Sequence, residues 1–238
     1  MIAPTLIYGP TAEQVARALI SADAYLIRSD ITSEDEFYTW KSGIKAPVYT
    51  DSRVLNSDPG AMAIVQRALG SSIRANFPSA ECVVGVAEAG IVWSALAAVD
   101  LSLPHAFVRK AEKSYGRPGL LVGSPPRGAR AVLVDDLVAS GSSLEKSVHV
   151  LKSENDISTI GVQSIVNWDF IEMRDRFRAL GIPVRALVSF PQLLDAGLER
   201  GLLSNEAKAE LAAFYGNPRA HKWNISALWN EGRSDRTA

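Results

Sequence analysis

Two neighbouring carboxylates, Asp135 and Asp136, end the apolar run Ala131–Val134, and a small-residue turn, Ala139-Ser140-Gly141-Ser142-Ser143, follows after Leu137 and Val138. The run reads as a buried parallel strand, so the acids stand at its carboxyl end, where burying a charge is costly unless something hydrogen-bonds it. That cost points to a ligand. Ser142 and Glu145 have the spacing of a capping box, so a helix is expected to open at the turn. Free amides at a helix start, with Gly141 admitting close backbone approach, cradle a phosphate. Acids that accept from two sugar hydroxyls, beside a turn that holds a phosphate, suit a ribose phosphate. An ordinary strand, turn and capped helix with its acids in solvent would use the same residues.

Two further groups fit this chemistry. Cys82–Val86 reads as a short buried strand ending in Glu88-Ala89-Gly90, a loop that presents backbone amides to a second phosphate or simply turns into the next helix. After the strand His105–Val108 come Arg109, Lys110 and Lys113, a positive patch on a slightly acidic chain. Gly116, Pro118, Gly119, Gly123, Pro125, Pro126 and Gly128 then exclude regular helix and central strand, which leaves a long loop, functional or merely solvated. Few apolar side chains hold the segment Lys110–Arg127, so it is expected to be mobile and cleavable.

The elements that position these groups alternate. A helical stripe is expected from Thr11 to about Arg28, with strand-like Phe37–Trp40 and Pro47–Thr50 flanking the polar turn Lys41–Ala46. Asp58 caps a helix from Pro59 to about Ala75, and another runs from Gly90 through Ala98. Beyond the acidic strand, Leu144, Val148 and Leu151 give a helix its core face. A strand at Thr159–Val166, a helix at Asp169–Leu180, a strand at Val184–Val188 and helices around Leu193 and Ala207 follow, and Gly232–Ala238 is expected to fray. Alternating strands and helices imply an α/β fold with a parallel sheet covered on both faces. Ligands then belong at the carboxyl ends of the strands, where Glu88, Arg109 and Asp135 all fall.

With 238 residues and no repeat or linker, the chain is expected to form a single domain, 1–238. A net charge of −1 and a pI near 6.3 offer no global positive field for nucleic acid. Trp168, Trp223 and Trp229 lack an interleaved basic stripe and are expected to pack in the core or an interface. The single Cys82 lies in an apolar run and reads as an inert buried thiol, since His105, His149 and His221 bring no cysteine-hydrolase motif. There is no run of eighteen apolar residues and no basic-then-apolar leader, so no membrane role and a cytoplasmic location are expected.

The stretch Val132–Ser143 resembles the phosphoribosyl pyrophosphate (PRPP) motif of type I phosphoribosyltransferases. Lys41-Ser42-Gly43 through Tyr49 looks like the hood of the orotate phosphoribosyltransferases, and Arg109-Lys110-x-x-Lys113 like their catalytic loop. The resemblance implies a type I phosphoribosyltransferase-like parallel sheet flanked by helices. A small N-terminal hood would occupy mainly 1–55, a PRPP-binding core about 56–190, and C-terminal helices about 190–230. It implies transfer of ribose 5-phosphate from PRPP to a nucleobase, most of all orotate, giving orotidine 5′-monophosphate and pyrophosphate in pyrimidine synthesis, with Mg²⁺ held mainly by PRPP. In that pattern Lys113, Asp135 and Asp136 are catalytic. PRPP is bound by those residues with Arg109, Lys110 and Ala139 to Ser143, pyrophosphate by Glu88, Ala89 and Gly90 around an often cis peptide, and the base by Lys41 and Tyr49. A homodimer with shared active sites follows from the same likeness. The chain departs from the pattern at Ala139, usually Thr, at Trp168, usually Arg, at Tyr115, usually His, and at Glu88-Ala89, usually a Tyr-Lys pair. An acceptor other than orotate, or a PRPP-sensing regulator without catalysis, are the alternatives those departures leave open.

Overall fold

The computed structural model describes residues 9–28, 31–40, 42–112 and 119–228. The expectations for Lys41, Lys113, Tyr115, Trp229 and the last residues fall outside them. The strands are β1 (Tyr25–Ile27), β2 (Tyr38–Thr39), β3 (Lys45–Ala46), β4 (Val48–Thr50), β5 (Cys82–Val86), β6 (His105–Val108), β7 (Leu121–Val122), β8 (Arg130–Val138), β9 (Ser158–Asn167) and β10 (Val184–Ser189). The helices are α1 (Ala12–Ser21), α2 (Pro59–Asn76), α3 (Gly90–Leu101), α4 (Ser142–Asn155), α5 (Ile171–Leu180), α6 (Phe190–Glu199), α7 (Asn205–Gly216) and the single turn α8 (Ile225–Leu228).

A six-stranded sheet in the order β10-β9-β8-β5-β6-β7 forms the centre. Its strands pair in parallel except β7, which runs antiparallel along the edge. Both faces are covered, as continuous apolar strands require. Val83, Val132, Val134 and Ile165 join one core with α2 and α3, while Val84, Leu133 and Val162 join a second with Leu144 and Leu151 of α4 and Met173 and Phe177 of α5. This is the type I phosphoribosyltransferase fold class expected from the sequence.

The N-terminal segment differs from its reading as one helix to Arg28. Helix α1, opened by a Thr11/Gln14 capping box, stops at Ser21. Asp23 takes a left-handed φ of 55°, turning the chain so that β1 pairs antiparallel with β4. Strands β2 and β3 form a small hairpin beside it, and Trp40 Nε1 donates to Val48 O at 2.9 Å. Asp58 caps α2 as expected, accepting from the Gly60 and Ala61 amides at 2.9 and 3.0 Å.

Among its described residues the expected long loop contains a short strand. Leu121–Val122 pairs with Phe107–Val108, and the Leu120 and Leu121 amides donate to the Glu154 carboxylate at 2.8 and 3.0 Å. An edge strand needs only one partner, so the prolines that bar a central strand do not bar this one. Trp168 is 1% exposed, its ring 4.4 Å from Trp40 and 4.5 Å from Phe190. Trp223 packs on Phe214 at 4.7 Å. Cys82 is buried, and burial pushes its thiol up to about 11.

Candidate active site

Strand β8 continues past its apolar run and carries both acids to the carboxyl edge of the sheet. Asp135 is 8% exposed, and one of its oxygens accepts the Asp136 amide at 2.9 Å. Burial first, and the neighbouring Asp136 charge second, hold its carboxyl well above the usual carboxylate range. Asp136 accepts a hydrogen bond from the hydroxyl of Ser52, itself buried at the start of a 3-10 turn, Ser52–Ser57. That turn is capped by Asp51, which also grips the Arg53 guanidinium at 2.6 and 2.7 Å. The bond to Asp51 holds Arg53 firmly protonated.

The turn after β8 is built around Gly141. Its φ of 73° is left-handed, and a Cβ there would lie 2.7 Å from the Phe177 ring of α5. Gly141 is the residue that caps α4, so the Ser142/Glu145 capping box is not formed. Ser142 already lies inside the helix, and Glu145 turns away to pair with Arg176 of α5. The amides of the first helical turn therefore stay free of side-chain caps, the arrangement that suits an external anion better than a capping box would.

Two adjoining clefts open over these residues. The first, about 360 Å³, is lined by Ala139, Ser140, Gly141, Ser142 and Ser143 on one side and by Trp40, Ser42, Tyr49 and Trp168 on the other. The second, about 300 Å³, holds Asp135, Asp136, Arg53, Glu88, Ala89 and Lys110. Tyr49, Thr50, Leu137 and Ser143 line both, so the clefts adjoin. Gly90 lies behind the second, where a Cβ would meet Val134 O at 2.6 Å, so only glycine brings this loop against β8. The Ala87–Glu88 peptide is cis. Lys110 reaches Glu88 at 3.4 Å, both largely exposed, a pair of little energetic weight. Arg109 lines a third recess with Lys110, Lys146 and Ser143, and its Nη1 is buried without a hydrogen-bond partner among the described residues.

The fold thus gathers Asp135, Asp136, Glu88, Ala89, Lys110, Tyr49 and the turn Ala139 to Ser143 around two adjoining clefts, with Arg109 alongside. Ser52, Arg53 and Arg176 were not read from the sequence. Ser52 lies 84 residues from Asp136 and Arg176 lies 31 from Glu145, so no local pattern links them.

Residues 54–166 match the family model described as "Phosphoribosyl transferase domain". A curated orotate phosphoribosyltransferase of Cutibacterium acnes is 32% identical over 209 residues, which span 88% of this chain and 94% of that protein. The chain belongs to the orotate phosphoribosyltransferase family. Another member of this family, from Lactococcus lactis subsp. cremoris, is 31% identical over 83% of this chain and 94% of its own length. The crystal structure of orotate phosphoribosyltransferase from Aeropyrum pernix superposes with a TM-score of 0.67 at 26% identity, covering 80% of this chain and 99% of that one.

Proposed function

We propose that this chain transfers ribose 5-phosphate from PRPP to a ring nitrogen of orotate, releasing pyrophosphate. The observation that carries the reading is the adjacency of the two clefts: one offers uncapped helix amides, the other a carboxylate pair at the sheet edge, Asp135 buried and Asp136 half-buried. PRPP carries a 5′-phosphate, two ribose hydroxyls and a pyrophosphate in that same order. The amides around Ser140 to Ser143 bind the 5′-phosphate, and Asp135 and Asp136 accept from the ribose hydroxyls. Those hydroxyls supply the hydrogen bonds that favour ionised Asp135, offsetting its burial. Glu88 to Gly90, Arg109 and Lys110 face the pyrophosphate, and Lys113, of the same cationic run in the sequence, is proposed to add its charge.

As the bond between sugar carbon and pyrophosphate breaks, positive charge grows on the ring and negative charge on the leaving group. Carboxylates below the ring and cations around the pyrophosphate oppose both changes, and the hydrophobic wall of Trp40 and Trp168 keeps water away. Among the described residues no three His, Cys, Asp or Glu side chains converge into a metal cage. The carboxylates of Asp135 and Asp136, which line the second cleft, would hold Mg²⁺ that arrives on PRPP. Bound there, Mg²⁺ would neutralise pyrophosphate charge. Pyrophosphate release from PRPP, Mg²⁺ and orotate tests the reading, and absence of turnover with any nucleobase would end it.

A second acceptor class is favoured by one observation. The described lining of the first cleft carries no charged side chain, and Trp168 stands where the family pattern has Arg. An uncharged base would need no cation there, and a base panel separates the two readings. We further propose a cytoplasmic homodimer with shared sites, supported by family membership. No helix among the described residues is long and apolar enough to cross a membrane. Mixing inactive Lys113→Ala and Asp136→Asn chains should restore activity in hybrid dimers; demonstrably mixed yet inactive dimers would refute site sharing.

A further inference from the structure

The phosphate turn is held from behind by a side chain that has no place in the PRPP contacts above. Arg176, on α5, donates through Nε to the carbonyl of Ser140 at 3.2 Å, while Nη1 pairs with Glu145 in the first turn of α4. Both side chains of that pair are 31% exposed, so the guanidinium is only partly open to solvent. On the same face of α5, Phe177 and Met173 press against Gly141. Helix α5 therefore touches the turn through one polar and two apolar residues.

The direction of the Arg176 bond matters. In a trans peptide the C=O and the N–H of the next residue point opposite ways. Drawing the Ser140 carbonyl toward α5 sends the Gly141 N–H the other way, and that N–H finds no acceptor among the described residues. We infer that Arg176 is a positioning residue: it fixes the Ser140–Gly141 peptide so that the Gly141 amide faces the 5′-phosphate, and it cancels the Glu145 charge that would otherwise repel that phosphate. The inference rests on the phosphoribosyl transfer reading. Lysine can match the charge but has a single nitrogen, which cannot repeat Arg176's fork across carbonyl and carboxylate.

A contact to the distant 5′-phosphate is made alike in ground and transition states, so its loss should raise KM and spare kcat. Arg176→Ala should raise the KM for PRPP about tenfold or more, with kcat within about twofold. Arg176→Lys should fall between, and Arg178→Ala, whose partner is the exposed Asp175, should match wild type. Adding Glu145→Gln to Arg176→Ala should recover part of the lost affinity, because the bare carboxylate is gone. Calorimetric titration of ribose 5-phosphate and of PRPP into each folded variant separates the failures. Wild-type protein that binds neither ligand overturns the transfer reading together with this one. Wild-type and Arg176→Ala chains that bind ribose 5-phosphate equally overturn the positioning role alone, as does a fall in kcat at unchanged KM. Should Arg176→Ala not fold, the Arg176→Lys and Glu145→Gln chains carry the same comparison.

Discussion

The half of the candidate site proposed to take PRPP and the half proposed to take the base are built on different physics. The PRPP half rests on one contiguous stretch, Asp135 to Ser143, where a strand end and a helix start lie within nine residues. Its tools are backbone amides and charges, so its specificity is set by geometry that few side chains can alter. The base half is assembled from Trp40 and Tyr49 of the hood and Trp168 beyond β9, residues distant in sequence and held by ring packing. Its Trp168 serves the cleft and the core together, which ties the acceptor site to folding stability. A local site of backbone and charge can thus be lost without harm to the fold, whereas the packed base site cannot.

The sharpest way to break this contrast is Trp168→Ala. Removing a fully buried indole should cost about 3–5 kcal/mol of unfolding free energy, read by denaturant titration. An undiminished stability would detach Trp168 from the core. Asp136→Asn should do the reverse, cutting kcat/KM by about 10²–10³ while leaving the fold intact, as loss of one transition-state charge partner does. A fall in stability as large as that for Trp168→Ala would erase the distinction between the halves.

Asp135 refines the comparison through pH. Its folded-state pKa lies above that of the unfolded chain, so the folded protein binds the extra proton, and ligand-free stability should decline as pH rises from about 4 through the raised value. Asp135→Asn should remove that decline and raise the melting temperature at neutral pH, while abolishing PRPP turnover. A variant less stable than wild type at neutral pH would show that the carboxylate is not a burden the fold carries for its ligand. The smallest effect is expected at Trp40→Phe, which loses the bond to Val48 O but keeps an aromatic ring. It should cost about 1 kcal/mol and shift the KM for the base more than that for PRPP.

The sequence by itself determined the parts whose causes are local. Period and length revealed the five parallel strands of the sheet and the helices that cover it, since buried strands must be apolar and helices must show one apolar face. The acid pair and the glycine turn are legible as a candidate ribose phosphate site because a few consecutive residues contain all of it. Tertiary structure decided the rest. The capping box at Ser142 and Glu145 satisfied its local rule and still did not form, because Arg176 from another helix offered Glu145 a charged partner and Phe177 required glycine at 141. Helix α1 stopped short because β1 found β4 to pair with, and Leu121–Val122 became a strand because an open sheet edge lay beside it. Ser52 reached Asp136 only when the hood folded over the sheet. Each of these outcomes turns on a partner far along the chain, and no spacing within one element can announce a partner in another.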